Sequence, residues 1–200
     1  MPEASDLSRL PAPDTIRSKG FTLKGAMAFV EARFGAGAME RVLPMLDPDL
    51  RQALSVPVLS STWYPFRYQV GLYEGIDRAF GTGDFRLCRE IGRYTAKTEA
   101  TSFHKVLLKL ANMKTWLKIA GSMWGMYYSA GSLSAEEFHD AGGVACISGF
   151  HPISKAFCED FSGWLEQILE MGGKTDVSLR HTECVLDGAP ACLYKATWHG

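Results

Sequence analysis

The chain has 200 residues, of which 46% are hydrophobic and 22% charged. That is the composition of one globular domain, and a chain of this length can bury about 70% of its unfolded surface without added staples. Basic and acidic residues balance at 21 to 22, for a net charge of −1. The balance excludes a strongly basic nucleic-acid binder and an acidic disordered chain. The five cysteines are an odd number, so they cannot all pair.

The first 19 residues mix prolines with both charges and read as a mobile tail, with residues 20–200 forming a single domain. They lack the basic start and apolar core of a secretory signal. The longest charge-free stretch, 119–135, is broken by glycines and serines. It falls short of the roughly 20 apolar residues of a membrane span. A cytoplasmic setting with reduced thiols is therefore expected.

Helical spacing runs through Phe21 to Phe34, where Leu23, Met27, Val30 and Phe34 share a face and Gly35 ends it. Met39 to Leu46 continues in helix, and Pro48 opens a short helix to Leu54. Val56 to Tyr64 is rich in Val, Ser and Thr and reads as extended. Phe66 to Ala79 is helical, with Tyr68, Leu72 and Ile76 on one face. After the Gly81-Thr82-Gly83-Asp84 turn, long helices are expected over Phe85–Leu110 and Met113–Tyr128.

The period then changes. Gly131–Phe138 and Val144–Phe150 read as strands around an Asp140–Gly143 turn. Ser154–Met171 is a helix with Phe157, Phe161, Trp164, Leu165, Ile168 and Leu169 on its apolar side, ended by Gly172. Thr175–Val185 and Ala191–Trp198 form a hairpin around Asp187-Gly188. The expected fold is α+β: a helical N-terminal half packed on a small antiparallel sheet, in the order strand–strand–helix–strand–strand.

No phosphate-binding G-x-x-x-x-G-K-[ST], no H-E-x-x-H and no G-x-S-x-G occurs, so no enzymatic activity is expected. The cysteines are more informative. Cys184 and Cys192 flank the Asp187-Gly188 turn, His181 lies three residues before Cys184, and Cys158 sits in the first turn of the preceding helix. Three thiols and an imidazole are a suitable tetrahedral set for zinc. Small buried hydrophobes, or a Cys184–Cys192 disulfide in an oxidising compartment, would explain the same residues.

Those C-terminal residues, together with Phe157-Cys158-Glu159, Gly163-Trp164-Leu165-Glu166 and Asp187-Gly188, resemble a 4-vinyl reductase domain. Upstream, Arg33-Phe34-Gly35, Trp63-Tyr64-Pro65, Gly83-Asp84, Glu90-Ile91-Gly92-Arg93, Trp124 and Tyr127-Tyr128 resemble an uncharacterised family expanded in myxobacteria. The resemblance implies a fold shared with haem nitric-oxide sensors and vesicle-tethering subunits. It also implies a structural zinc on Cys158, His181, Cys184 and Cys192, and a homodimer. Phenol-sensing members have glutamate where this chain has His181. The Y-x-S-x-R motif of the haem branch is absent, and only His104 offers a candidate axial ligand.

Aromatic residues on the central helices, Phe103, Trp116, Trp124, Tyr127 and Tyr128, are candidate walls for a small apolar or aromatic ligand, or ordinary core. Arg86 to Lys118 is basic, with Arg86, Arg89, Arg93 and Lys97 on one helical stripe, whereas Gly131 to Met171 is acidic. The two segments are solvated faces, or they attract each other across a dimer. The expected function is a non-enzymatic small-molecule-sensing module that signals to a separate output protein, the alternative being a ligand-free interaction adaptor.

Overall fold

The computed structural model describes residues 10–99 and 121–199. Helices occupy the first half and an antiparallel sheet the second, the α+β order expected from the change in hydrophobic period. The helices are α1 (Gly20–Phe34), α2 (Met39–Val42), α3 (Pro48–Ala53), α4 (Phe66–Phe80), α5 (Arg86–Glu99) and α6 (Lys155–Met171). Residues 121–127 are also helical. The strands are β1 (Arg17–Lys19), β2 (Trp63–Pro65), β3 (Ser132–His139), β4 (Gly142–Ser148), β5 (Thr175–Glu183) and β6 (Cys192–His199).

β1 and β2 form a small ribbon, and the main sheet has the order β3-β4-β6-β5. The last hairpin therefore places β6 in the interior, paired with both β4 and β5. Strand alternation turns Cys192, Tyr194, Ala196 and Trp198 inward. α6 covers that face with Phe157, Phe161, Leu165 and Leu169. Burial of each such large side chain contributes about 1.5–3 kcal/mol, which fixes the register.

On its other side α6 meets α5, and here two glycines decide the geometry. A Cβ on Gly92 would fall on the backbone carbonyl of Asp160, and one on Gly163 on that of Arg89. The two backbones are thus in direct contact, an approach that only glycine permits. A second core, built from Leu23, Phe29, Val30, Leu72, Tyr73, Ile76 and Ile91, joins α1, α4 and α5.

Several expectations are corrected by this arrangement. Residues 10–19 are not a loose tail: Ile16 is fully buried and Arg17–Lys19 pairs with Trp63–Pro65. The extended segment expected over Val56–Tyr64 shrinks to β2, because only that part finds a pairing partner. The basic stripe and the acidic segment do attract each other, but within one chain. Arg89 binds Glu159 at 2.9 Å and Glu166 at 2.6 Å, while Arg93 binds Glu166 at 3.2 Å and Glu170 at 2.6 Å. Of the helices expected over Phe85–Leu110 and Met113–Tyr128, Arg86–Glu99 and residues 121–127 are helical, and 100–120 lie outside the described residues. Phe103, His104 and Trp116 lie outside the described residues. Among the described residues, no helix is long and apolar enough to cross a membrane.

Candidate ligand cavity and thiol cluster

α6 stands between two features that share no sequence neighbourhood except through it. On the helical side is a partly open cavity of about 50 Å³. α1 contributes Phe21 and Thr22, α4 contributes Gln69 and Tyr73, and α5 contributes Thr95. Met123, Trp124, Tyr127 and Tyr128 close one side, Leu133 of β3 another, and Asp160, Phe161 and Trp164 come from α6. Of the five aromatic residues expected to line a pocket, Trp124, Tyr127 and Tyr128 do so.

The walls hold one another in place. Trp124 and Tyr128 sit 4.5 Å apart, and the Trp124 indole donates to the Ala130 carbonyl at 2.8 Å. Phe21 meets Tyr127 edge-on at 4.4 Å. Such pairs contribute about 0.5–1.5 kcal/mol beyond their buried area, so the cavity is bounded by rigid faces.

Gln69 is the polar feature that sequence reading missed. It lies one turn from Tyr73 on α4 and is fully buried. Its Nε2 donates to Tyr73 Oη at 2.9 Å and to Tyr128 Oη at 3.2 Å. Its Oε1 is buried without a hydrogen-bond partner. The signal in the sequence was an amide on the buried side of α4, next to the Tyr68, Leu72 and Ile76 stripe. Asp160, Phe161 and Trp164 were passed over because α6 reads as a single apolar face until α5 and the sheet divide it.

On the sheet side, the four residues singled out from their spacing converge. The donor atoms of Cys158, His181, Cys184 and Cys192 all lie within 4.8 Å of one another. Cys184 Sγ is 3.9 Å from Cys158 Sγ and 3.8 Å from Cys192 Sγ. Ser154 caps α6, its side chain accepting from the Ala156 N–H at 3.3 Å, and so sets Cys158 in the first turn. A register shift between His181 and Glu183 precedes Cys184, whose carbonyl accepts from the Asp187 and Ala189 N–H groups of the turn. Gly188 completes that turn at φ +89°, a conformation suited to glycine.

The three thiols share their protons unequally. Hydrogen bonds to Cys184 and Cys192 push the Cys158 thiol up, so it remains the donor. The same bond from Cys158 holds Cys184 and Cys192 below the ordinary thiol range, against the opposing effect of burial. His181 stacks on Tyr194 at 4.3 Å and 6°, and its Nε2 is buried without a hydrogen-bond partner. Cys88 and Cys146 are buried elsewhere, and burial pushes both thiols up.

No family model matches the chain, and no curated protein is similar to it. Solved structures do match. An H-NOX protein from S. oneidensis in the Fe(II)NO ligation state superposes with a TM-score of 0.68 at 13% identity, covering 91% of this chain and 99% of that one. An Fe(II) unliganded H-NOX mutant from K. algicida gives 0.67 at 12% identity, covering 91% and 97%. This chain therefore has the fold of H-NOX proteins.

The match overturns two expectations. The resemblance to 4-vinyl reductase domains, and with it the myxobacterial family, has no support. A spacing shared by one helix and one hairpin is a local coincidence of elements, whereas the superposition follows the path of nearly the whole chain. The structural zinc is likewise unsupported, since the S. oneidensis and K. algicida structures are described in Fe(II) states. Cys158, His181, Cys184 and Cys192 are a set of donor atoms suited to soft metals in general, and donor type alone does not select one ion.

The described lining of the cavity contains no imidazole and no thiol. Its Tyr73 hydroxyl is driven well above the usual phenol range by burial and stays protonated. His104 lies outside the described residues.

Proposed function

We propose that this chain is a non-enzymatic sensing module that binds a small, largely apolar molecule in the aromatic cavity and signals to a separate protein. The observation that carries this reading is the buried Gln69 Oε1, left without a partner among aromatic walls. An unpaired buried acceptor costs about 1–3 kcal/mol, which a bound donor removes. The unliganded and NO-ligated states of the H-NOX neighbours support an internal small-molecule site.

α6 is the element suited to report occupancy. Phe161 in the cavity wall packs on Tyr194 at 4.8 Å, and Tyr194 stacks on His181 of the thiol cluster. At that cluster the reading adds a thiophilic metal ion held by Cys158, His181, Cys184 and Cys192. The donor atoms of all four residues lie within 4.8 Å of one another. A ring nitrogen of His181 supplies the fourth donor.

Titration with naphthalene, followed by Trp124 and Trp164 fluorescence, tests the ligand. Saturable quenching is expected; its absence refutes the small-molecule reading and leaves the adaptor. Co(II) titration tests the cluster. The expected result is one ion per chain with thiolate-to-metal absorption, lost in Cys184→Ser and kept in Cys88→Ser and Cys146→Ser.

A further inference from the structure

We infer that the loop 54–62, with Trp63 at the start of β2, is a peripheral membrane anchor: Val56 and Leu59 enter a bilayer rich in anionic phospholipid while basic residues around them hold its headgroups.

The loop shows apolar side chains to water in a fixed arrangement. Val56 and Leu59 are 61% and 62% exposed and Trp63 37%, whereas Val58 between them is buried. The backbone is pinned on both sides. The Leu59 N–H donates to Tyr64 Oη at 3.1 Å, and the Thr62 N–H to the Leu59 carbonyl at 3.1 Å. The N–H groups of Gly20 and Phe21 donate to the Thr62 and Ser60 carbonyls at 2.9 and 3.2 Å. Val58 thus anchors the loop inward while Val56 and Leu59 are held outward, so their exposure belongs to the fold and not to slack chain.

The charge around them has one sign. Residues 15–30 and 50–73, which these bonds and the β1–β2 ribbon bring together, contain no acidic residue. Arg17 and Lys19 lie on one face of β1, opposite Pro65 and Trp63. The Lys19 ammonium stands 4.1 Å over the Trp63 ring and donates to the Ser61 carbonyl at 2.7 Å. Lys24 is exposed one helical turn after Gly20, against which the Leu59 carbonyl packs. Arg67 of α4 is met by Asp49, but Arg17, Lys19 and Lys24 have no ion pair among the described residues. In a chain of net charge −1 this is a local positive face.

The occupant follows from size and charge. A stable protein interface takes about 800 Å² from each partner around an apolar centre, more than two aliphatic side chains and one indole on a single loop supply. A bilayer asks for less. Its core takes up short aliphatic side chains, its boundary suits tryptophan, and its anionic headgroups attract each nearby cation.

Co-sedimentation of the intact chain with vesicles tests this, using phosphatidylcholine alone and an about 2:1 mixture of phosphatidylcholine and phosphatidylglycerol. Three cations at about fivefold each predict a preference on the order of a hundredfold for the anionic vesicles. Leu59→Ser should weaken that binding about tenfold and Lys24→Gln about fivefold. Lys195→Gln, which removes the same charge from the exposed side of β6, should leave it unchanged. Circular dichroism checks that each variant folds. No binding, equal binding to neutral vesicles, or Leu59→Ser binding like the parent overturns the inference. So does an equal loss in Lys24→Gln and Lys195→Gln, which would make net charge the cause. A dimer in light scattering without vesicles that Leu59→Ser abolishes would assign the loop to a second copy of the chain and overturn it as well.

Discussion

Gly163→Ala separates local propensity from tertiary packing, because the two give opposite signs. In a helix interior alanine is favoured over glycine by about 1 kcal/mol. Gly163 lies inside α6, so propensity alone predicts a more stable protein. In the fold, the added Cβ falls on the Arg89 carbonyl of α5. Both contacting groups belong to helix backbones, so no side-chain rotation relieves the clash. The helices must part, which loosens the Arg89 and Arg93 ion pairs with α6 and thins the dispersion contacts along the seam. Overpacking of this kind costs typically about 1–3 kcal/mol and more where backbone must move. With the propensity gain subtracted, the variant should lose about 2 kcal/mol. In a chain of this size that lowers Tm by roughly 4–8 °C. Urea and thermal unfolding by circular dichroism measure it directly. Gly125→Ala is the control, since its added Cβ meets none of the described residues within 4 Å, and it should be neutral or stabilising. A Gly163→Ala protein as stable as the parent would refute the backbone contact between α5 and α6.

The other predictions concern charge and thiols. In a double-mutant cycle, Arg89→Met and Glu166→Gln should show a coupling of about 1 kcal/mol or more, because Glu166 is well shielded and held by two arginines; additive effects in urea unfolding would contradict that. Solution mass by light scattering should not change from low to high salt on account of Arg89 and Arg93, whose charges are met inside the chain; a salt-dependent mass abolished by Arg93→Gln would show otherwise. Cys88→Ala should cost about 1 kcal/mol of stability and leave Co(II) uptake intact, its thiol being buried away from the cluster.

What the sequence by itself determined is mostly local. The shift from helical to alternating period marked α4, α6 and the four strands of the main sheet, because each has an apolar face read at fixed spacing. The hairpin turn at Asp187-Gly188 brought Cys184 and Cys192 together, and the preceding helix delivered Cys158 to them. That donor set was legible as residues, but its spacing selects no particular ion, since thiol and imidazole donors suit many soft metals. The cavity was not legible. Phe21, Gln69, Thr95 and Asp160 belong to four different helices and meet only when those helices pack. Their meeting depends on Gly92 and Gly163, which locally look like weak points in two helices. Only the tertiary structure turns the missing side chains into a contact, since the value of an absent Cβ lies entirely in what stands opposite it.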